Sequence, residues 1–98
     1  MICAKKISAV ELLEHYLDRV ERYNPELNAI IVLDVERARV RAREADAALA
    51  NGEVWGPLHG VPMTIKESYN VAGLPTTNGR PEMKDNIAEA DALAVERL

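Results

Sequence analysis

Phenylalanine is absent from this 98-residue sequence, which has one tryptophan and three tyrosines. Aromatic side chains therefore contribute little to any core, and the hydrophobic residues, 48% of the chain, are mostly Ala, Val and Leu. Charged residues make up 29%, a mixture that excludes a disordered tail. A chain of this length buries only about 60–70% of its unfolded surface. We expect one domain at most, with a thin aliphatic core.

Cysteine occurs once, at Cys3, so no internal disulfide forms and a reducing, cytoplasmic location is expected. No run of about 18 or more apolar residues is present, which argues against a membrane-spanning segment. Residues 1–6 include no apolar stretch typical of a secretory signal. The net charge is −4, whereas nucleic-acid binding needs an excess of lysine and arginine. We therefore expect neither a membrane nor a nucleic-acid partner.

The first helix has a clear start signal. Ser8 and Glu11 have the spacing of a capping box, in which each side chain accepts a hydrogen bond from the other residue's amide. Apolar residues then recur three and four positions apart, at Val10, Leu13, Leu17 and Val20. The Asn-Pro pair at 24–25 is a stop signal. These features predict a helix over residues 9–22.

The next segments alternate between extended and helical patterns. The β-branched run at 28–33 predicts a buried, extended segment. Asp34 is a candidate cap for a helix over residues 35–50, which Asn-Gly at 51–52 would end. A last helix is predicted to begin near position 89 or 90. Its pattern continues to Leu98 without a stop signal, which favours a fragment of a larger domain.

The second predicted helix is rich in alanine on one side and has four arginines elsewhere. They are Arg37, Arg39, Arg41 and Arg43. A solvated face paired with Glu36, Glu44 and Asp46 is the favoured interpretation, and an anion or oligomer contact is the alternative.

Residues 61–67 have the pattern of a strand between two loops rich in glycine and proline. Two-residue periodicity places Val61, Met63 and Ile65 on one face and Thr64, Lys66 and Ser68 on the other. A half-exposed strand accounts for this pattern. A desolvated lysine, whose neutral amine accepts a proton, accounts for it as well. Spacing alone leaves both interpretations open.

The region around this lysine reads Gly-Pro-Leu-His-Gly-Val-Pro from Gly56, then Lys66, then Val-Ala-Gly-Leu-Pro-Thr-Thr-Asn-Gly ending at Gly79. It closely resembles the amidase signature family. The likeness extends weakly upstream to Ser8 and downstream to Val95, and so covers nearly the whole chain. It implies an α/β fold, in which residues 1–98 are the amino-terminal fragment of an α/β/α sandwich, with helices packed on a short partial mixed sheet.

The resemblance also implies an activity. Members of the family hydrolyse carboxylic amides to an acid plus ammonia or an amine, using a Ser–cis-Ser–Lys triad, and Lys66 matches the family lysine. A buried neutral amine would take a proton through a bridging hydroxyl and so activate a serine nucleophile. No cofactor and no metal are implied. The complete enzyme would act on a small-molecule amide.

The sequence departs from the family pattern in its serines. The family's two serines lie in a Gly-Gly-Ser-Ser-Gly-type segment that is absent here, and the only serines are Ser8 and Ser68. Ser8 is the predicted cap, and Ser68 lies in no glycine turn. Glu67 stands where many members have aspartate, which preserves the charge. We therefore expect residues 1–98 to be an incomplete amidase domain that is inactive alone.

The two histidines lack a carboxylate or cysteine at metal-ligand spacing. His15 and His59 are therefore predicted to be structural or surface residues. Trp55 and Leu58 would pack at the base of the loop before residues 61–67.

Three functions remain open. The first is an amidase polypeptide with Lys66 as the base. The second is a non-catalytic, truncated remnant that forms a homo-oligomer through the unpaired strand at 61–67. The third is one half of a split amidase or amidotransferase that associates with the missing half.

Overall fold

The computed structural model describes all 98 residues, and its regular structure is helical. In chain order, the elements are α1 (Ala9–Leu27), α2 (Val35–Ala50), a 3-10 helix (Pro81–Met83) and α3 (Leu93–Glu96). The chain divides into two compact units, Met1–Met63 and Thr64–Leu98, and the first contains both long helices. None of the helices combines the length and hydrophobicity that crossing a lipid bilayer requires.

The start of α1 confirms the predicted capping box. The Ser8 hydroxyl accepts a hydrogen bond from the Glu11 amide at 3.0 Å, and the Glu11 carboxylate accepts one from the Ser8 amide at 2.9 Å. The hydrogen bond from the Ser8 amide lowers the pKa of the Glu11 carboxyl. Because the first amides of a helix have no partner within it, this pair stabilises the first turn.

Asp46 of α2 satisfies two further amides at the start of α1. Its Oδ1 accepts from the Ala9 amide at 2.7 Å, and its Oδ2 accepts from the Val10 amide at 3.1 Å. A carboxylate at this position also interacts favourably with the helix dipole. Asp46 was predicted to pair with an arginine, and this prediction is wrong, because its carboxylate joins α2 to the first turn of α1.

The core between the two helices is thin and aliphatic, as the composition predicts. Its buried members are Ala9, Leu13, Ala42 and Ala45. Val10, Leu17 and Ala38 pack against them with partial exposure. Alanine at most core positions allows the two helices to approach closely, but it leaves little apolar area to bury.

Three arginines of α2, Arg37, Arg39 and Arg41, form ion pairs with acidic residues at the surface, which agrees with the favoured interpretation. Arg39 binds Glu14 of α1 in a bidentate geometry, with N–O distances of 2.6 and 3.0 Å, and also contacts Glu36 at 3.2 Å. The hydrogen bond from Arg39 lowers the pKa of the Glu14 carboxyl, and the same contact raises the pKa of Arg39. Arg41 pairs with Glu44 at 3.1 Å.

The ends of α2 partly agree with prediction. The helix spans Val35–Ala50 as predicted, and Gly52 after it adopts the left-handed conformation with φ 81°. Asp34, however, makes no side-chain cap. Its carboxylate instead pairs with Arg37 at 3.2 Å.

Helix α1 continues five residues beyond its predicted end at Arg22. Pro25 lies inside its last turn, so the helix loses one hydrogen bond but is not broken. The end is set by Asn28, which adopts the left-handed conformation with φ 49° and donates its amide to the Asn24 carbonyl at 2.7 Å.

The predicted buried segment at 28–33 is exposed and has no regular secondary structure. Ile31 is 62% exposed and Leu33 is 51% exposed. The sequence pattern was that of a strand, but a strand forms only when its backbone groups pair with a neighbour. No such neighbour exists in this chain.

The same reason applies to the predicted strand at 61–67 and to the predicted mixed sheet. Residues 61–66 have no regular structure, and Val61 and Met63 are 42% and 46% exposed. The β-type pairing in the chain is a single antiparallel bridge between Pro75 and Ile87. The architecture of these 98 residues is therefore helical, without the predicted sheet.

The last helix begins at Leu93, three to four residues later than predicted. The Asp91 carboxylate accepts a hydrogen bond from the Ala72 amide at 2.7 Å. The Ala92 amide donates to the Asn70 carbonyl at 2.9 Å. These contacts attach residues 91–92 to the preceding loop and prevent them from joining the helix.

We predict that Asp46→Ala lowers the free energy of unfolding by about 2 kcal/mol, because both hydrogen bonds to its carboxylate are charge-assisted. Ser8→Ala should cost about 1 kcal/mol, as for other N-caps. The measurement is urea denaturation followed by the helical circular dichroism signal. Glu44→Ala is the matched control, since it removes an exposed carboxylate of α2 and should change little. Equal midpoints for Asp46→Ala and Glu44→Ala would contradict the assignment.

Candidate functional site

Lys66 lies at the start of a turn in the second unit. Its carbonyl accepts a hydrogen bond from the Tyr69 amide at 2.9 Å, which closes the turn over residues 66–69. The Lys66 side chain is exposed, and the chain's ion pairs involve other residues. In this chain the amine therefore meets water.

Glu67, the residue after Lys66, anchors this turn. Its half-buried carboxylate accepts a hydrogen bond from the Thr77 hydroxyl. The eleven residues from Glu67 to Thr77 therefore form a closed loop, and Lys66 lies next to the point at which it closes. Glu67 thus has a structural partner within the same motif.

Thr76, the residue before Thr77, is one of the most buried polar residues at 9% exposure. Its amide donates to the Asn86 carbonyl at 2.8 Å, and the Asn86 side chain donates to the Thr76 carbonyl at 2.9 Å. The Ala88 amide extends this pairing by donating to the Leu74 carbonyl at 3.0 Å. Hydrogen bonds therefore join the segments 74–76 and 86–88, next to the loop that Glu67 and Thr77 close. The buried Thr76 hydroxyl has no partner within the chain.

The two serines have separate positions. Ser8 is engaged in the cap of α1, as predicted. Ser68 is exposed and lies in the same turn as Lys66, where no glycine-rich loop surrounds it. The structure therefore brings no serine with the setting of a nucleophile to Lys66.

His59 is buried at 4% exposure in the loop before residues 61–67. Its Nδ1 accepts from the Trp55 amide at 3.1 Å, and its Nε2 lies 2.8 Å from the Ala45 carbonyl of α2. The rings of Trp55 and His59 pack with centroids 4.9 Å apart, and the Arg41 guanidinium lies 4.0 Å from the centre of the tryptophan ring. His59 therefore has the structural role expected of it, in a contact with α2 that no local pattern indicated.

His15 is exposed and contacts Tyr16 edge to face, with ring centroids 5.6 Å apart. No group of three His, Cys, Asp or Glu side chains is arranged to hold a metal ion.

This sequence matches a known protein family and several curated relatives. A family model described as Amidase matches residues 11–98. An acylamidase of Rhodococcus erythropolis is 43% identical over 97 residues, which are 99% of this chain and 20% of that protein. An indoleacetamide hydrolase of Bradyrhizobium diazoefficiens is 48% identical over 92 residues, which are 94% of this chain and 18% of that protein.

A third relative is a subunit of the glutamyl-tRNA(Gln) amidotransferase from Methylobacillus flagellatus, 40% identical over all 98 residues, or 20% of its length. This chain therefore spans about a fifth of the curated relatives it matches.

A solved structure has the same fold over 98% of this chain, with a TM-score of 0.91 and 33% identity. It is described as an unexpected vestigial protein complex that reveals the evolutionary origins of an s-triazine catabolic enzyme. The match covers 21% of that protein's chain. An inhibitor-bound form of the same complex matches equally well.

We predict that Thr77→Val loosens the loop beside Lys66, because it removes the hydroxyl that donates to the half-buried Glu67 carboxylate. Hydrogen exchange of the Thr76 amide should accelerate about tenfold, the effect expected for one lost hydrogen bond. Thr77→Ser retains the hydroxyl and is the matched control. Identical exchange in the valine and serine variants would show that the contact does not hold the loop.

Proposed function

This chain belongs to the amidase family, and we propose that it supplies the amino-terminal, lysine-bearing part of a domain that hydrolyses carboxylic amides. The supporting observation is that Lys66 and the motif around it lie within residues 11–98, the segment that the family model matches. Relatives whose match covers 99% and 94% of this chain are an acylamidase and an indoleacetamide hydrolase. The proposed products are a carboxylic acid and ammonia or an amine.

In this proposal Lys66 is the base of the reaction. Its neutral amine accepts a proton through a bridging serine hydroxyl, and this transfer activates a second serine for attack on the amide carbonyl. Neither serine belongs to this chain, so both come from the remainder of the domain. Desolvation favours the neutral amine, and the exposed Lys66 of this structure would become buried when that remainder covers it.

We further propose that residues 28–33 and 61–67 become strands of a mixed sheet in the complete domain, which would then be an α/β/α sandwich. Both segments are apolar and largely without regular structure here. Ile31, Leu33, Val61 and Met63 are 42–62% exposed. Covering these side chains would contribute about 25 cal/mol for each Å² of apolar surface removed from water. The backbone groups of both segments would gain partners at the same time.

Under this proposal the isolated chain is inactive, because it has no serine placed to act as a nucleophile beside Lys66. Residues 1–98 are then the incomplete amino-terminal part of one amidase domain. With a single cysteine and no disulfide, the chain suits the cytoplasm.

Association with a second polypeptide is an alternative that one observation favours. The chain matches proteins that are, by name, one subunit of an amidotransferase and therefore belong to a multi-subunit enzyme. One half of a split amidase or amidotransferase would use the exposed apolar segments at 28–33 and 61–67 to bind the other half. A non-catalytic remnant would use the same segments to bind a second copy of itself.

The activity is tested in a chimera in which residues 1–98 replace the matching fifth of the Rhodococcus acylamidase. We expect amide hydrolysis by the chimera and none by the isolated chain. Lys66→Met should reduce kcat by about 10²–10⁴-fold, the usual contribution of a positioned base. Lys84→Met is the matched control, because Lys84 is an exposed lysine of the same unit outside the motif. A folded Lys66→Met chimera that hydrolyses amides as fast as the unsubstituted chimera would exclude this role.

Self-association is tested on the isolated chain by light scattering over a range of concentrations. We expect a species larger than a monomer that Val61→Glu or Met63→Glu reduces, because a charge within the interface must be desolvated. Leu27→Glu is the control, since Leu27 is 70% exposed but lies outside both segments. A clean monomer at high concentration would exclude a self-associating remnant.

A further inference from the structure

His59 has the lowest exposure of any polar residue in the chain, and both of its ring nitrogens have partners. The backbone N–H of Trp55 is a donor, so Nδ1 must be the acceptor in their 3.1 Å contact. The Ala45 carbonyl can only accept, so Nε2 must carry a proton in their 2.8 Å contact. Together these partners require a neutral imidazole with its proton on Nε2.

This imidazole attaches the loop at 55–60 to α2. Ala45 is 1% exposed and belongs to the core between the two long helices. The loop itself is compact, since the His59 amide donates to the Gly56 carbonyl at 3.2 Å and the Val61 amide donates to the Leu58 carbonyl at 3.0 Å. A second attachment follows at Gly60, which has φ 72° and where an added Cβ would lie 2.9 Å from the Ala9 Cβ. The loop is thus held against both helices immediately before residue 61.

We propose that His59 is a positioning residue that fixes the register of residues 61–67 and thereby the face on which Lys66 lies. This inference rests on the proposed function, in which residues 61–67 form a strand of the complete domain. Side chains alternate between the two faces of a strand, so a slip of one residue would move Lys66 to the opposite face. The attachment through His59 and Gly60 prevents such a slip because it holds the residues at which the segment begins.

Other residues of the loop support the attachment. The Trp55 ring packs against the His59 ring, and the Arg41 guanidinium of α2 lies over the Trp55 ring. This packing restricts water from the two imidazole hydrogen bonds, which strengthens them. Because Trp55 is the single tryptophan of the chain, its fluorescence reports on this loop alone.

The protonation of the ring is tested directly by long-range ¹H–¹⁵N correlation NMR of the 98-residue chain at pH 8. We expect one tautomer, with a proton on Nε2 and none on Nδ1. The chain also contains His15, whose exposed ring should show the mixture of tautomers typical of a solvated histidine and serves as an internal reference. A proton on Nδ1 of His59, or a mixture like that of His15, would overturn the proposal without bearing on the proposed amidase activity.

The attachment is tested by hydrogen exchange of the Trp55 and Val61 amides in the same chain. His59→Phe keeps an aromatic ring but removes both hydrogen bonds, and we expect both amides to exchange at least about tenfold faster. His59→Gln retains a donor and an acceptor, and should restore much of the protection. Equal exchange in the wild type, His59→Phe and His59→Gln would overturn the proposal.

The effect on register is tested in the active chimera described above. His59→Phe should lower kcat about tenfold or more at unchanged KM, because misplacing a catalytic group affects the reaction more than substrate binding. His59→Gln should recover most of that loss, whereas a matched His15→Phe variant should not differ from wild type. Unchanged kcat in a folded His59→Phe chimera would overturn the positioning role, while the activity of the wild-type chimera tests the proposed function separately.

Discussion

The carboxylate of Asp46 accepts hydrogen bonds from the first two amides of α1, and the organisation of the first unit depends on this contact. The core that it supports contains mostly alanine, so apolar burial alone contributes little to holding the two helices together. A charge-assisted contact at the helix start therefore has an unusually large share in the stability. Ala45, the residue before Asp46, accepts the hydrogen bond from His59. Two adjacent residues of α2 therefore hold separate segments: Asp46 binds the start of α1, and Ala45 binds the loop that precedes residues 61–67.

The two exposed apolar segments of this chain lack neighbouring strands. Residues 28–33 and 61–67 have the composition of strands, yet their backbone groups have no neighbouring strand to pair with. The chain belongs to the amidase family and spans about a fifth of the length of the relatives it matches. We propose that the remainder of the domain supplies the missing neighbours. Under the proposed function, the exposure of Lys66 has the same cause, because the elements that would bury its side chain belong to the remainder of the domain. The buried, unpartnered hydroxyl of Thr76 is a further group that such elements could satisfy.

The parts of the fold that depend on nearby residues were predictable from the sequence. The capping box of Ser8 and Glu11 and the bounds of α2 follow from signals within a few residues, and both were predicted correctly. Features that depend on distant residues were not. The contact of Asp46 with α1 spans 37 residues, and the contact of His59 with Ala45 spans 14. Pro25 was taken as a helix end because proline removes a hydrogen bond inside a helix, but the helix continues through it and ends where Asn28 adopts the left-handed conformation. The predicted strand at 61–67 is absent because its backbone has no partner in this chain. The role of Lys66 came from resemblance, since spacing left two interpretations open.

We propose that the Lys66 amine becomes buried beside serine hydroxyls that another part of the domain supplies. A crystal structure of the chimera with the Rhodococcus acylamidase would test it most directly. We expect residues 61–67 to form a paired strand, with the Lys66 Nζ removed from solvent and within about 2.6–3.2 Å of a serine hydroxyl. A folded chimera in which the Lys66 side chain remains in solvent, or lies on the face away from the serines, would contradict it.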